Sequence, residues 1–528
     1  MAPPTPEPAA PSPEHPLDPP LPYTIAARAR RAAADLQLQQ FVNTATRNKD
    51  RARAAAFMAA FGPRLDEVRS LAARIRQHTL DHLDAYLEQF VENATKTGAV
   101  VHFARDAAQA NAIALAIARD AGAKLCIKAK SMVTEEIRLL PALEAAGVTT
   151  VETDLGEFIL QLDGDAPSHI VTPMIHKDRT AVARAFVREL GAPYTEDPAH
   201  LTLIARAHLR SLYRKADLGI TGGNFLIAST GSLVVCTNEG NADFCMSGPR
   251  THIAIVGIEK LIPAPEHLGV LLKVLARSST AQPLTVYTTI ITGPRGTGFQ
   301  PVPSSSLPSS QPPPHTPDQD QDGPAHLHII LLDNGRTKLL ADGADGGARE
   351  ILRCIRCGAC LNACPVYRKV GGGHAYGAVY SGPIGAILTP SLKGLRNYPD
   401  LPHASSLCGG CSEACPVRID IPRHLVRLRR EMAASGLTGV RRRIAMRLWA
   451  AILQRPAFYR LAAAAQRSLL RAAAEPGVPP AGPCTDHRWL TDLPAPLDGW
   501  TAARDFPTPP SSSFRDWWRT RRFEEERP

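Results

Sequence analysis

Between Tyr23 and Thr95, apolar residues recur every three or four positions in an Ala- and Arg-rich background, the period of helices with one buried face. At Gly98 the pattern changes to short apolar runs alternating with helical segments. "GAVVHFA" reads as strand, "DAAQANAIALAIARDAG" as helix, "KLCIKA" as strand, "MVTEEIRLLPALEAAG" as one helix and "VTTVET" as strand. "SHIVTPM" (168–174) extends the strand series, and two further helical stretches reach Lys215. Such alternation predicts a mostly parallel sheet covered on both faces. Residues 217–262 are denser in short strands and glycines, which suits a ligand-facing edge of that sheet. "PLTVYTTIITGP" closes the domain near Pro294, and "LHIILLDNGRTKLL" returns a strand to it.

Two stretches break the periodicity. The leader "MAPPTPEPAAPSPEHPLDPPLP" is Pro-rich, and "GFQPVPSSSLPSSQPPPHTPDQDQDGP" has too few apolar residues to pack, so both read as flexible chain. Beyond the cysteines, "IPRHLVRLRREMAASG" is a helix started by Pro422 and stopped near Gly436. The remainder mixes amphipathic helix ("RIAMRLWAAILQ") with Pro-rich irregular chain and the pair Trp517–Trp518.

Length and charge add bounds. The 528 residues suffice for about three domains. No run of eighteen apolar residues appears and the leader lacks the order of a secretory signal, so the expected location is cytoplasmic, with peripheral membrane contact left open. There cysteines serve metals or catalysis more than disulfides. The net charge of +10 invites a nucleic-acid reading, but the basic residues are spread and carry no aromatic interleaving or recognition motif. Nucleic acid is therefore not an expected partner.

The strongest chemical signal is "CIRCGACLNACP". Cys354, Cys357, Cys360 and Cys364 have the spacing C-x2-C-x2-C-x3-C-P, in which three thiolates wrap one iron–sulfur cube and the fourth faces a second cluster. Zinc favours two separated pairs instead. "CGGCSEACP" supplies Cys408, Cys411 and Cys415, the last three places of the same pattern. By the crossed logic of two-cluster ferredoxins, Cys354, Cys357, Cys360 and Cys415 hold one [4Fe–4S] cluster, while Cys364, Cys408 and Cys411 hold another that is one ligand short. Ser405 stands where the missing cysteine would be. Serine ligation, an open iron, a three-iron cluster and a ligand from elsewhere all stay open. Cys126, Cys236, Cys245 and Cys484 read as inert thiols. No flavin or nicotinamide fingerprint accompanies the clusters.

These residues, together with "KSMVTEEI", "ETDLGEFILQL", "TNEGN", "HIAIVGIEKLIP" and "LLDNGR", resemble the lactate utilisation protein B type of iron–sulfur protein over most of 23–518. The resemblance implies an α/β lactate-utilisation (LUD) domain, similar in fold to the ribose-phosphate isomerase/CoA-transferase group. It also implies an α-helical ferredoxin-type two-cluster module and a family-specific, partly irregular helical C-terminal region. The implied role is electron transfer in a multiprotein system oxidising L-lactate to pyruvate. Its sister subunits would be a paired-cysteine protein and a second LUD protein, with lactate bound directly or by a partner. The expected segments are a leader (1–22), a helical segment (23–97), the LUD domain (98–346, with a flexible insertion at 299–323), the ferredoxin-type module (347–432) and the C-terminal region (433–528). Two other readings compete: a carrier for another 2-hydroxy acid oxidase such as one for glycolate, and a non-redox iron–sulfur scaffold or sensor.

Candidates for a substrate site come from the strand ends. In "TNEGN", Glu239 could act as base, with Asn238 and Asn241 as donors to a carboxylate, or the segment could be a tight turn satisfying itself. Lys128, Lys130 and Ser131 could hold an anion or be surface groups. His252 reads as a packed histidine.

Overall fold

The computed structural model describes residues 17, 19–294, 323–343, 347–476, 488–494, 497–501 and 505–525. Most of the leader and almost all of the 299–323 insertion lie outside them. The chain divides into two units, Met1–Ser435 and Gly436–Pro528.

The first unit is built on a six-stranded sheet. Its strands are β1 (Val100–Ala104), β2 (Leu125–Lys128), β3 (Thr149–Glu152), β4 (Leu218–Thr221), β7 (Thr251–Gly257) and β10 (His326–Leu332). They are ordered β1-β10-β7-β4-β2-β3, and every pairing is parallel. Alternation along β7 sends Ile253 and Ile255 to one face, against the helix Ala107–Asp120, and Ala254 and Val256 to the other, beneath Leu83–Lys96 and Asn241–Ser247. Both faces are thus covered, as expected of a parallel sheet.

Where the reading of residues 217–262 put one sheet edge, the structure has a second sheet. β5 (Phe225–Ile227), β6 (Ser232–Thr237), β8 (Leu261–Ile262) and β9 (Tyr287–Ile291) are ordered β8-β5-β6-β9, with antiparallel pairings at β6. Close backbone approach explains one of its companion glycines: a Cβ at Gly219 on β4 would lie 1.8 Å from Cys245 O.

Two expectations need correction. "MVTEEIRLLPALEAAG" is two helices, Met132–Glu136 and Leu139–Ala145, because Arg138 takes a left-handed conformation (φ 56°) between them. "SHIVTPM" is a turn segment and not a strand. Its backbone is used by the cysteine-bearing region: Ser168 O accepts from Tyr367 Oη at 2.6 Å, and the Ser168 hydroxyl accepts from Gly373 N at 2.9 Å.

The N-terminal helices pack on the same region. From Leu65–Asp81, Arg69 donates to Cys415 O at 2.8 Å, and the fully buried Arg76 donates to Leu261 O (2.7 Å), Leu352 O (3.1 Å) and Glu259 O. The second unit holds the helices Val440–Leu453, Pro456–Ala472 and Phe514–Glu525, with a small antiparallel sheet closed over Ala474, Leu490 and Leu493. Among the described residues no helix is long and apolar enough to cross a membrane.

Candidate iron–sulfur centre and adjoining cleft

The cysteine-bearing region is short helices joined by tight turns. Gly358 and Gly409, at φ 75° and 84°, start the helices Ala359–Ala363 and Gly410–Ala414, and each helix ends at a Cys-Pro pair, Cys364-Pro365 and Cys415-Pro416. The prolines sit where no N–H is needed for the preceding turn. Backbone N–H groups point at sulfur: Arg356 N at Cys354 Sγ, Tyr367 N at Cys364 Sγ and Ile419 N at Cys415 Sγ, each at 3.4 Å.

The seven thiols gather in one place and fall into two electrostatic neighbourhoods. Cys354, Cys357 and Cys415 act on one another and on Cys360. Cys364, Cys408 and Cys411 form the second set, with Cys411 also near Cys360. Six of the seven are buried and Cys408 is exposed. Burial pushes Cys357 and Cys411 up to about 12. Soft sulfur donors packed this densely out of water fit a thiolate-ligated metal cluster, whose binding removes those protons.

Beside Cys354 the chain opens into a cleft of about 510 Å³. It lies outside the carboxyl ends of β2 and β4, where the strand order reverses: β2 leads outward to β3, and β4 leads the other way to β7 and β10. Open α/β sheets bind ligands at such a point. Lys130, Asp154, Glu239, Lys260, Arg356 and Tyr380 line it.

Each expected residue has a definite place there. Asn238 donates to Gln282 Oε1 (2.9 Å) and accepts from Val286 N (3.0 Å). Asn241 accepts from Thr237 Oγ1 (3.1 Å) and donates to Thr153 Oγ1 (3.2 Å). Both amides are spent on the scaffold. Glu239 Oε2 accepts from Leu155 N at 3.0 Å, and burial beside Asp154 raises its carboxyl above the ordinary range. Lys130 pairs with Asp154 at 3.1 Å, and Ser131 caps Met132–Glu136. Lys128 is neither a surface group nor free for an anion: it is fully buried, 2.5 Å from Glu152 and 3.5 Å from Glu135. His252 is buried against Thr221 Oγ1 at 2.8 Å.

Two cleft cations escaped the sequence reading. The Lys260 ammonium finds no hydrogen-bond or ion-pair partner among the described residues, and burial beside Arg356 pushes it down to about 7. Arg356 lies 4.7 Å over the Tyr380 ring, reaches Glu259 Oε1 at 3.3 Å and leaves Nη1 without a partner. The available signal was a Glu-Lys pair set inside the apolar run "IAIVGIEKLI".

Behind the cleft, the fully buried Arg336 binds Glu136 through both oxygens (3.0 and 2.9 Å) and Glu259 at 2.5 Å, while Tyr380 donates to Glu136 at 2.5 Å. Burial alone would raise Glu259, but the charges of Arg336 and Arg356 hold it at about 2.

Residues 87–300 match the LUD domain family, 350–419 the 4Fe-4S dicluster domain and 432–523 the lactate utilisation protein B C-terminal domain. A Lactate utilization protein B of Geobacillus kaustophilus (strain HTA426) is 43% identical over 458 residues, covering 86% of this chain and 88% of its own. That of Shouchella clausii (strain KSM-K16) is 42% identical over 460 residues, 87% and 89% of the two chains. A solved DUF162 family protein from Deinococcus radiodurans covers 47% of this chain and 98% of its own at 12% identity and a TM-score of 0.25, too low to bear on the fold. With these matches spanning the cleft, the cysteines and the C-terminal unit, the chain belongs to the lactate utilisation protein B family.

Proposed function

We propose that this chain is the iron–sulfur electron-transfer subunit of a multiprotein system that oxidises L-lactate to pyruvate. The observation that carries the reading is the gathering of seven thiols into two neighbouring sets within a dicluster region of a family member. Cys354, Cys357, Cys360 and Cys415 hold one [4Fe–4S] cluster, and Cys364, Cys408 and Cys411 contribute to the second. Bound clusters supply one-electron transfer. This chain's own residues fix the thiols, exclude water from six of them and aim N–H groups at their sulfurs.

The cleft is our candidate for the place where a small carboxylate meets this chain. Lys260 and Arg356 offer positive charge, and Glu239 with its raised carboxyl is the candidate proton acceptor. Asn238 and Asn241 shape its wall. The partners we infer are a paired-cysteine subunit and a second LUD protein, in the cytoplasm. Fold kinship of the LUD region with the ribose-phosphate isomerase/CoA-transferase group, and segment boundaries at 98–346, 347–432 and 433–528, belong to the same proposal.

Anaerobic EPR of the chain with its co-expressed sister subunits tests it. L-Lactate should produce reduced-cluster signals in the complex, and glycolate should not. Signals with glycolate alone would reassign the substrate. Clusters that dithionite reduces but neither acid does would leave the sensor or scaffold reading.

A further inference from the structure

The cysteine region is built from the same turn twice, and the two copies correspond bond by bond. In the first, Arg356 N donates to Cys354 Sγ at 3.4 Å; in the second, Leu407 N donates to Ser405 Oγ at 3.1 Å. Arg356 and Leu407 are both left-handed, at φ 61° and 56°, an uncommon conformation for a non-glycine residue that recurs here at one register position. Gly358 and Gly409 follow two residues later, again both left-handed. Leu361 N to Gly358 O (3.0 Å) is repeated by Ser412 N to Gly409 O (3.0 Å), and Cys364 N to Leu361 O (3.2 Å) by Cys415 N to Ser412 O (3.2 Å). Ser405 is therefore to the second turn what Cys354 is to the first. It is half-buried, beside the exposed Cys408.

We propose that Ser405 Oγ, as the serinate, is the fourth ligand of the second cluster. This rests on the assignment of Cys364, Cys408 and Cys411 to that cluster made above. In the step itself the O–H bond breaks, the proton passes to solvent and an oxygen lone pair forms the bond to iron. No electron changes hands. Among the described residues, the other free thiols and the neighbouring hydroxyl are placed elsewhere. The Ser406 hydroxyl bonds to Cys408, Cys126 and Cys245 are packed into the faces of the parallel sheet, and Cys236 lies on β6 at the cleft. An oxygen donor matches iron less well than a thiolate, so the iron it holds is the one that leaves first.

Mössbauer and EPR spectroscopy of the full chain, purified anaerobically with its iron, test this. The wild type should show about one iron in eight with an oxygen-ligated signature. Ser405→Cys should keep the iron content and make all sites thiolate-like. Ser405→Ala should lose about one iron in eight and give a three-iron signal in the oxidised state. An all-thiolate or three-iron spectrum in the wild type overturns the proposal, as does a Ser405→Ala chain with unchanged iron and spectrum. Should Ser405→Ala fail to fold, the wild-type and Ser405→Cys spectra decide. A wild type holding one cluster only would instead remove the two-cluster assignment itself.

Discussion

A buried amine with no hydrogen-bond or ion-pair contact is costly to charge, and Lys260 is held in that state at the wall of a cleft. Replacing it by Met keeps the length of the side chain and removes its charge. If Lys260 receives a substrate carboxylate, the variant should need at least about tenfold more L-lactate for half-maximal cluster reduction in the complex, the cost of one charged hydrogen bond. An unchanged titration would take Lys260 out of the site. Residues around it show what a sequence conceals. That Lys128 points into carboxylates while Lys130, two residues on, reaches the cleft depends on which strands flank β2, and local pattern does not encode that order. The amides of Asn238 and Asn241 answer to Gln282, Val286 and Thr153, all of which lie far along the chain.

Among elements, the helices Val440–Leu453 and Pro456–Ala472 stand out in composition. No acidic residue occurs between Met432 and Ala474, a stretch that carries eight arginines: 441, 442, 443, 447, 455, 460, 467 and 471. Neither helix has a buried residue, and Ile444, Leu448, Trp449, Phe458, Leu461 and Leu469 are exposed. Arginine with exposed Trp and Leu on such helices fits an anionic surface, and an anionic lipid one is the case to test. The full chain should co-sediment with vesicles containing phosphatidylglycerol and not with pure phosphatidylcholine. Gln at 441, 442, 443 and 447 should weaken that binding at least about tenfold. Equal pelleting with neutral vesicles, or none with either, would refute peripheral membrane contact. Helical periodicity made Val440–Leu453 legible, and the alternation of short apolar runs with helices did the same for the parallel strands. It failed at "SHIVTPM", whose apolar alternation imitates a strand although its backbone partners, Tyr367 and Gly373, lie some two hundred residues away.

For the molecule as a whole, Arg336 ties the parallel sheet to the cysteine region through Glu136, Glu259 and Tyr380. Arg336→Met should destabilise the holo chain by about 3–5 kcal/mol, because buried Glu136 loses its guanidinium partner and Glu259 is left with Arg356 alone. The loss should depend on pH. In the wild type Arg336 holds Glu136 below the ordinary carboxyl range against the pull of burial, and Glu259 at about 2. Without the guanidinium, burial dominates at Glu136 and its folded value rises above the unfolded one. Such a group favours folding below its unfolded value and loses that contribution as pH rises through the folded one. Urea unfolding should therefore show a larger deficit at pH 8 than at pH 5, and an equal deficit would argue against charge as the cause. Cysteine spacing made the cluster chemistry legible at once, because ligand geometry is written in a few consecutive residues. The cleft was not, since its lining is drawn from segments that lie far apart in the sequence, from Lys130 to Tyr380.

The two ends of the cysteine region differ in one respect with a physiological edge. Six thiols are sheltered, while Cys408 faces water. Dissolved oxygen and peroxide have their shortest way in on that side. Preparations of the chain made in air should therefore lose iron from the Cys408 side first.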